Sequence, residues 1–244
     1  MKSFVIRSLH SILGYTKYLY VFSICKISTL WLFKKKWDYL YFVKQLNPNS
    51  NVVIIGASTG VTTIPIAKKC YRGKVFAYEP IQDNFDTIIK LIDHYKVKNC
   101  FAYLIGLGDV SNKSKSMLIP IVKGVKKQGM AHMDDKSINK FENYIKTEVV
   151  IQTIDEREEL KNITIQGIKL IAENYELEIL HGAAQTIKRC KPFIYCELWD
   201  NNKRDKVIQL IKSFGYSCYY RDSGKFKIVE MDQYRSRNLF FIPN

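Results

Sequence analysis

From Val52 to the C-terminus, short apolar runs alternate with stretches whose apolar residues recur every three or four positions. No other feature constrains the fold as strongly. The run at residues 52–55 is continuously apolar, as suits a strand buried on both faces, and 74–78, 100–105, 168–172 and 193–198 read as further strands. Between them, residues 62–69, 84–94, 176–189 and 204–214 carry helical periodicity. In the second of these, Phe85, Ile88, Ile89 and Ile92 are expected to form the buried face. Two further strand-like runs, 116–122 and 148–154, flank a polar stretch containing His132. The last two runs, 216–220 and 239–242, have only the turn-rich, charged residues 222–238 between them. A parallel pair needs a crossover helix, so these two are expected to pair antiparallel. The pattern predicts a doubly wound α/β sheet with an antiparallel last strand.

Composition fits one core of this kind. The 244 residues are 47% hydrophobic and 25% charged, which excludes disorder, a collagen-like chain and a disulfide scaffold. The turn signal Asn47-Pro48-Asn49-Ser50 sets residues 47–244 apart as one domain, with 1–46 as a helical extension. The six cysteines show no C-x-x-C pair and no zinc spacing, so buried free thiols in a reducing, cytoplasmic setting are expected, and no metal.

The net charge is +15, and residues 1–46 hold eight basic residues against one acid. Residues 18–33 are mostly apolar but too short to span a bilayer, with Lys26 in their midst. Beside them lie Lys34-Lys35-Lys36 and the aromatics Trp31, Phe33, Trp37, Tyr39 and Tyr41. Such a segment can lie in an anionic membrane interface, peripheral to its inner face. Alternatively it packs its aromatics on the domain, which helical spacing favours. A nucleic-acid partner is not expected, because no strand carries interleaved aromatic and basic residues.

In an open α/β sheet, ligands bind beyond the carboxyl ends of the strands. The loop Gly56-Ala57-Ser58-Thr59-Gly60 falls there, and Glu79-Pro80 ends the second strand. Gly56, Ala57, Ser58 and Gly60 let backbone approach a ligand, while the Glu79 carboxylate can accept ribose hydroxyls. Gly108 and Asp109, closing the third strand, complete the candidate cofactor set. The geometry suits an adenosine ligand. A nicotinamide site wants G-x-G-x-x-G, but positions 58 and 61 are Ser and Val; the G-x-x-x-x-G-K-[ST] of an ATP loop is absent. The looser loop favours S-adenosylmethionine.

The chain resembles the FkbM-type methyltransferases over residues 52–243. The resemblance rests on Ile55 to Gly60, Ala77-Tyr78-Glu79-Pro80 with Asn84-Phe85, and Gln152 to Glu156. Further carriers are residues 168–180, followed by Gly182-Ala183, and Lys191-Pro192-Phe193-Ile194 with Glu197. The thirteen residues 168–180 keep the register of the family's I-K-I-D-V-E-G-x-E-x-x-V-L. The resemblance implies a Rossmann-like class I methyltransferase sheet, S-adenosylmethionine as methyl donor, and a hydroxyl acceptor on a sugar, glycan or small natural product. Four departures stand out: Ile54 where the family has an acid, Ser58 for its Asn, Ile171 for its Asp, and Asn174 for its Gly.

Methylating an alcohol benefits from a general base. With Ile171 in place of Asp, the candidates are Glu173, then Asp155, then His132. His132 lies in residues 123–146, long enough to suggest a substrate lid. Tyr175, Tyr195 and Trp199 are candidates to stack on a sugar ring. The competing reading is a catalytically degenerate member with a binding or scaffolding role, on account of Ile171.

Overall fold

The computed structural model describes residues 13–32, 37–135, 141–229 and 236–244. Phe33, Lys34-Lys35-Lys36, the basic residues Lys2 and Arg7, and positions 136–140 of the expected lid lie outside these. Two helices open the described chain, α1 (Tyr15–Ser28) and α2 (Trp37–Gln45). Then come β1 (Val52–Ile55), α3 (Thr63–Lys69), β2 (Val75–Tyr78), α4 (Gln82–Tyr95) and β3 (Cys100–Tyr103). A β-rich stretch follows: β4 (Gly106–Leu107), β5 (Lys113–Val122), β6 (Val125–Lys126), β7 (His132–Met133) and β8 (Tyr144–Gln152). The chain then runs through α5 (Glu158–Lys161), β9 (Gly167–Leu170), α6 (Glu176–His181) and α7 (Ala184–Cys190). It ends with β10 (Phe193–Glu197), α8 (Asn202–Ser213), β11 (Tyr216–Asp222), β12 (Lys225–Ile228) and β13 (Asn238–Pro243).

Eight strands form the main sheet in the order β12-β11-β13-β10-β9-β1-β2-β3. The five at its centre and one side, β10, β9, β1, β2 and β3, are parallel. The last strand, β13, inserts antiparallel between β10 and β11. This is the doubly wound sheet with an antiparallel last strand that the sequence predicts. Every residue of β1, β2 and β9 is buried, because helices cover both faces. Val53, Ile55, Ile168 and Leu170 face the layer of α6, α7 and α8, while Val52, Ile54, Val75 and Ala77 face that of α2, α3 and α4.

The first helices take part in this second layer. Tyr39 and Phe42 of α2 are fully buried, and Phe42 stacks on Phe193 with ring centroids 5.6 Å apart. A Cβ on Gly167 would lie 2.9 Å from Leu46 and 3.2 Å from Phe42, so α2 sits directly on the start of β9. Trp31 and Trp37, by contrast, are exposed.

Several local expectations are corrected. In α4 the buried stripe is Asn84, Thr87, Ile88 and Leu91, and Ile89 points to solvent. The stripe rotates because Asn84 is drawn inward by a hydrogen bond to Glu79. The helix expected over 176–189 breaks at Gly182, where any Cβ would fall 1.9 Å from the Gly108 carbonyl oxygen. Residues 222–238, expected as turns, contain the edge strand β12. The expected lid is not an open loop among its described residues: β6, a 3-10 turn (Gln128–Met130), β7 and the first residues of β8 occupy it. β5 and β8 pair antiparallel, and β4 joins β8 rather than extending β3, giving a second small sheet. Cys25 is exposed, unlike the buried Cys70, Cys100, Cys196 and Cys218.

Phe42 tests whether α2 belongs to the core. Phe42→Ala is expected to cost about 3–5 kcal/mol in urea unfolding. A loss below about 1 kcal/mol would show α2 to be peripheral.

Candidate active site

The loop after β1 is held from below. Gly56 and Ala57 donate their N–H groups to the Tyr78 carbonyl at 3.2 and 3.1 Å. Gly56 has φ +70°, and a Cβ there would lie 1.9 Å from the Ile171 carbonyl oxygen, so only glycine lets β1 and β9 close together at this end. Glu79, 4% exposed, accepts from Ser58 N at 2.7 Å, Ile81 N at 3.1 Å and Asn84 Nδ2 at 3.0 Å. Burial pushes its carboxyl above the usual range, while these donors and the Lys169 ammonium pull it back. Lys169, buried in β9, donates to the Gly56 carbonyl at 3.1 Å.

Above this floor lies a cavity whose empty space, its open mouth included, is about 680 Å³. Of the expected cofactor residues, Gly56, Ser58, Glu79 and Pro80 line it. Ala57 is turned into the core, and Gly60 packs against Ile88 and Leu91. Gly108 and Asp109 lie off the cavity wall. The departure of β4 to the second sheet carries them away, so Gly108 abuts Gly182 and Asp109 pairs with Lys115 at 3.6 Å. Gly106 and Leu107 take the wall instead. The opposite wall comes from the expected lid, through Gln128, Gly129, Ala131 and Met133.

Two buried acceptors in this wall lack a donor, Asn84 Oδ1 and Gln128 Oε1. The amide nitrogens of both are already engaged, Asn84 with Glu79 and Gln128 with Asp83 at 2.9 Å. A carboxylate offers about four acceptor sites, and three donors reach Glu79, leaving one lone pair of Oε2. The cavity therefore asks for a ligand with several N–H or O–H donors on an apolar body. An adenosine, with its amino group and ribose hydroxyls, fits that demand.

Glu173 follows β9 in a left-handed conformation, φ +45°, and Asn174 follows at +74°. Asn is the non-glycine residue that best tolerates this region, so Asn174 satisfies the backbone that the family's Gly provides. The buried carboxylate of Glu176 holds the turn, accepting from Ala172 N at 2.9 Å and from the N–H groups of Asn174 and Glu176 itself. Asn201 Nδ2 donates to Asn174 Oδ1 at 2.7 Å. Burial and the neighbouring Glu197 push Glu173 up to about 7, opposed by a Trp199 hydrogen bond and the charges of Arg237 and Lys169. Burial likewise raises Glu176 to about 7.

The other two base candidates lie elsewhere. Asp155 caps α7, accepting from Gln185 N at 3.0 Å and Thr186 N at 2.8 Å, and lines a separate depression. His132 is buried on the opposite face of β7 from Ala131 and Met133, its Nδ1 3.1 Å from the Met130 carbonyl and its ring against Tyr144. Of the candidate stacking residues, Tyr175 lines the cavity, Trp199 holds Glu173, and Tyr195 is a core residue bonded to Asn238. Sequence reasoning placed Asn84, Lys169 and Glu176 in the resemblance without giving them a role, and it missed Gln128. A polar residue inside an apolar stripe was the available signal for Asn84 and Lys169.

Asn174→Gly is expected to leave stability within about 1 kcal/mol of the parent, whereas Asn174→Val should cost about 1–3 kcal/mol through strain and the lost Asn201 bond. Urea unfolding distinguishes the two. Because Glu173 and Glu176 are raised from 4.5 to about 7, folding takes up protons between those values, and stability falls as pH rises through that window. The expected fall is on the order of 3 kcal/mol per group. The double variant Glu173→Gln, Glu176→Gln should flatten this slope in unfolding midpoints measured across pH 5–8.

The sequence profile of the Methyltransferase FkbM domain family matches residues 55–218. No curated protein matches the sequence. Among solved structures, methyltransferase FkbM from Methylobacillus flagellatus KT is similar at a TM-score of 0.54 and 15% identity, over 97% of this chain and 57% of that one. The chain thus spans little more than half the length of that structure. Precorrin-6y C5,15-methyltransferase from Geobacter metallireducens GS-15 (TM-score 0.46, 9% identity, 84% of each chain) is also similar. So is a SAM-dependent O-methyltransferase from Thermotoga maritima (0.46, 8%, covering 84% of this chain and 63% of that). At those scores neither adds to the assignment. The shared Rossmann-like sheet and a family match over more than half the residues establish that the chain belongs to the FkbM family of S-adenosylmethionine-dependent methyltransferases.

Proposed function

We propose that this protein transfers the methyl group of S-adenosylmethionine to a hydroxyl of a sugar, glycan or small natural product. The carrying observation is the position of Glu173. It lines both the 680 Å³ cavity and an adjoining open cleft of about 1,130 Å³. The cleft walls carry the charged residues Lys115, Asp134, Asp135, Glu178 and Lys203 beside Met133 and Tyr175, and Lys203 bonds Glu178 at 2.9 Å. Alternating donors and acceptors of this kind suit a polyhydroxylated acceptor.

In this reading Gly56, Ser58, Glu79, Asn84 and Gln128 hold the donor, which supplies an electrophilic methyl carbon on a cationic sulfur. An acceptor hydroxyl in the cleft forms a new oxygen–carbon bond as the carbon–sulfur bond breaks. Its proton passes to a carboxylate oxygen of Glu173, whose raised pKa of about 7 matches the task. The turn held by Glu176 and Asn201 fixes Glu173 at the junction, and such positioning supplies most of the rate. Ile171 is an apolar wall of the donor cavity where the family pattern has Asp, leaving Glu173 as the carboxylate at the junction. That same substitution favours a second reading, a degenerate member that binds the donor without transferring from it.

S-adenosylhomocysteine, with ATP and NAD as controls, is expected to raise the unfolding midpoint selectively. At a hundredfold excess over Kd the gain is about 2.7 kcal/mol. Gln128→Ala should weaken this binding roughly fivefold to tenfold. Glu173→Gln should leave it intact and lower transfer to a hydroxylated acceptor by about 10²–10⁴-fold. The parent rate should rise with pH through about 7, because only the ionised carboxylate accepts a proton. Cofactor binding without transfer to any hydroxylated acceptor, with transfer gained in Ile171→Asp, would establish the second reading instead.

A further inference from the structure

Helix α1 carries apolar residues on its outer as well as its inner face, yet the domain covers only the inner one. Its inner face packs on the second core layer through Leu19, Tyr20, Ile24 and Ile27, and Tyr20 Oη lies 2.9 Å from His94 Nδ1. On the outer face Lys17, Val21, Phe22, Cys25 and Ser28 are separated by three or four residues along the helix or adjoin one another, and Trp31 and Leu32 follow in a 3-10 turn (Leu30–Leu32) just beyond. Val21, Phe22, Trp31, Leu32 and Trp37 are all exposed, Trp31 to 67% and Trp37 to 53%.

The charge of the segment decides what covers that face. Residues 1–37 contain seven basic residues and no acid. A second copy of the chain would bring the same cations against themselves across a twofold interface. A spanning arrangement is excluded for α1, which has 14 residues and carries Lys26, and no helix among the described residues is long and apolar enough to cross a membrane. We propose that this face docks on an anionic lipid bilayer, with Val21, Phe22, Trp31, Leu32 and Trp37 entering the headgroup–acyl boundary and the net positive charge of residues 1–37 drawing the segment to lipid phosphates. Exposed tryptophan rings are side chains well suited to that boundary, and Trp31 keeps its ring exposed while its Nε1–H donates to the Ser28 carbonyl at 3.2 Å.

The N-terminal end of α1 lies near the wall of the cavity. Lys126 lies over the Tyr15 ring at 4.9 Å and pairs with Asp83 at 3.6 Å, and Asp83 accepts from Gln128 of the cavity wall. Binding to lipid is nevertheless independent of methyl transfer, and its test uses no cofactor.

The full chain is sedimented with phosphatidylcholine vesicles, with and without phosphatidylglycerol, at low and high salt. Sedimentation with the anionic vesicles at low salt is expected, about tenfold weaker on neutral vesicles, with a blue shift of tryptophan emission. The double variant Trp31→Ser, Leu32→Ser should lose about tenfold in partitioning while keeping its unfolding midpoint and its circular dichroism. Failure of the parent to sediment at low salt would overturn the proposal. So would unchanged sedimentation of the double variant, which would leave charge alone responsible. A concentration-dependent dimer in light scattering that Trp31→Ser dissolves would assign the face to a second copy of the chain.

Discussion

One buried carboxylate organises the cofactor end of the sheet. Glu79 gathers the loop after β1 through Ser58, the start of α4 through Ile81 and the body of α4 through Asn84. Each donor satisfies part of a charge that would otherwise be costly to bury, so the carboxylate and the loop hold one another in place. Lys169 completes the arrangement from the neighbouring strand by binding the Gly56 carbonyl and supplying a compensating charge. The cavity is the space left above this cluster, and Asn84 Oδ1 and Gln128 Oε1 are acceptors in its wall without a donor among the described residues.

The departures from the family pattern acquire physical meaning in this setting. Asn174 stands where the backbone is left-handed, and its side chain is used to tie the turn to Asn201. Ile54 is fully buried in β1, in register with Lys169 of β9. An acid there would face the lysine; with Ile54 in place, the ammonium turns to the Gly56 carbonyl instead. Ile171 is different in kind, since it lines the cavity and places an apolar side chain where the family pattern has a carboxylate. Glu173 remains as the carboxylate at the junction of cavity and cleft, beside Glu197, Trp199, Arg237 and Lys169.

Sequence patterns failed where a single polar contact outweighed periodicity. Counting apolar residues puts Ile89 inside α4, but the pull of Glu79 on Asn84 rotates the helix and leaves Ile89 in solvent. A continuous helix over 176–189 reads well by spacing, yet the backbone of Gly108 meets Gly182 and divides it. Asp155 and His132 had the chemistry of bases, and their placement withdrew them. The first is occupied with the N-terminus of α7, and the second faces away from the cavity on a two-residue strand.

What the sequence by itself determined is the sheet and its binding end. Continuous apolar runs can be buried only between two helical layers, the missing helix before β13 compels an antiparallel return, and the Gly56 loop with Glu79 marks the carboxyl edge. The tertiary structure alone decided which polar groups converge. The cavity wall opposite Glu79 comes from Gln128 and its neighbours, about fifty residues later, brought there by the pairing of β5 with β6, β7 and β8. Likewise the raised pKa of Glu173 follows from burial beside Glu197. Periodicity records which face of an element is apolar, and such encounters between distant residues leave no trace in local spacing.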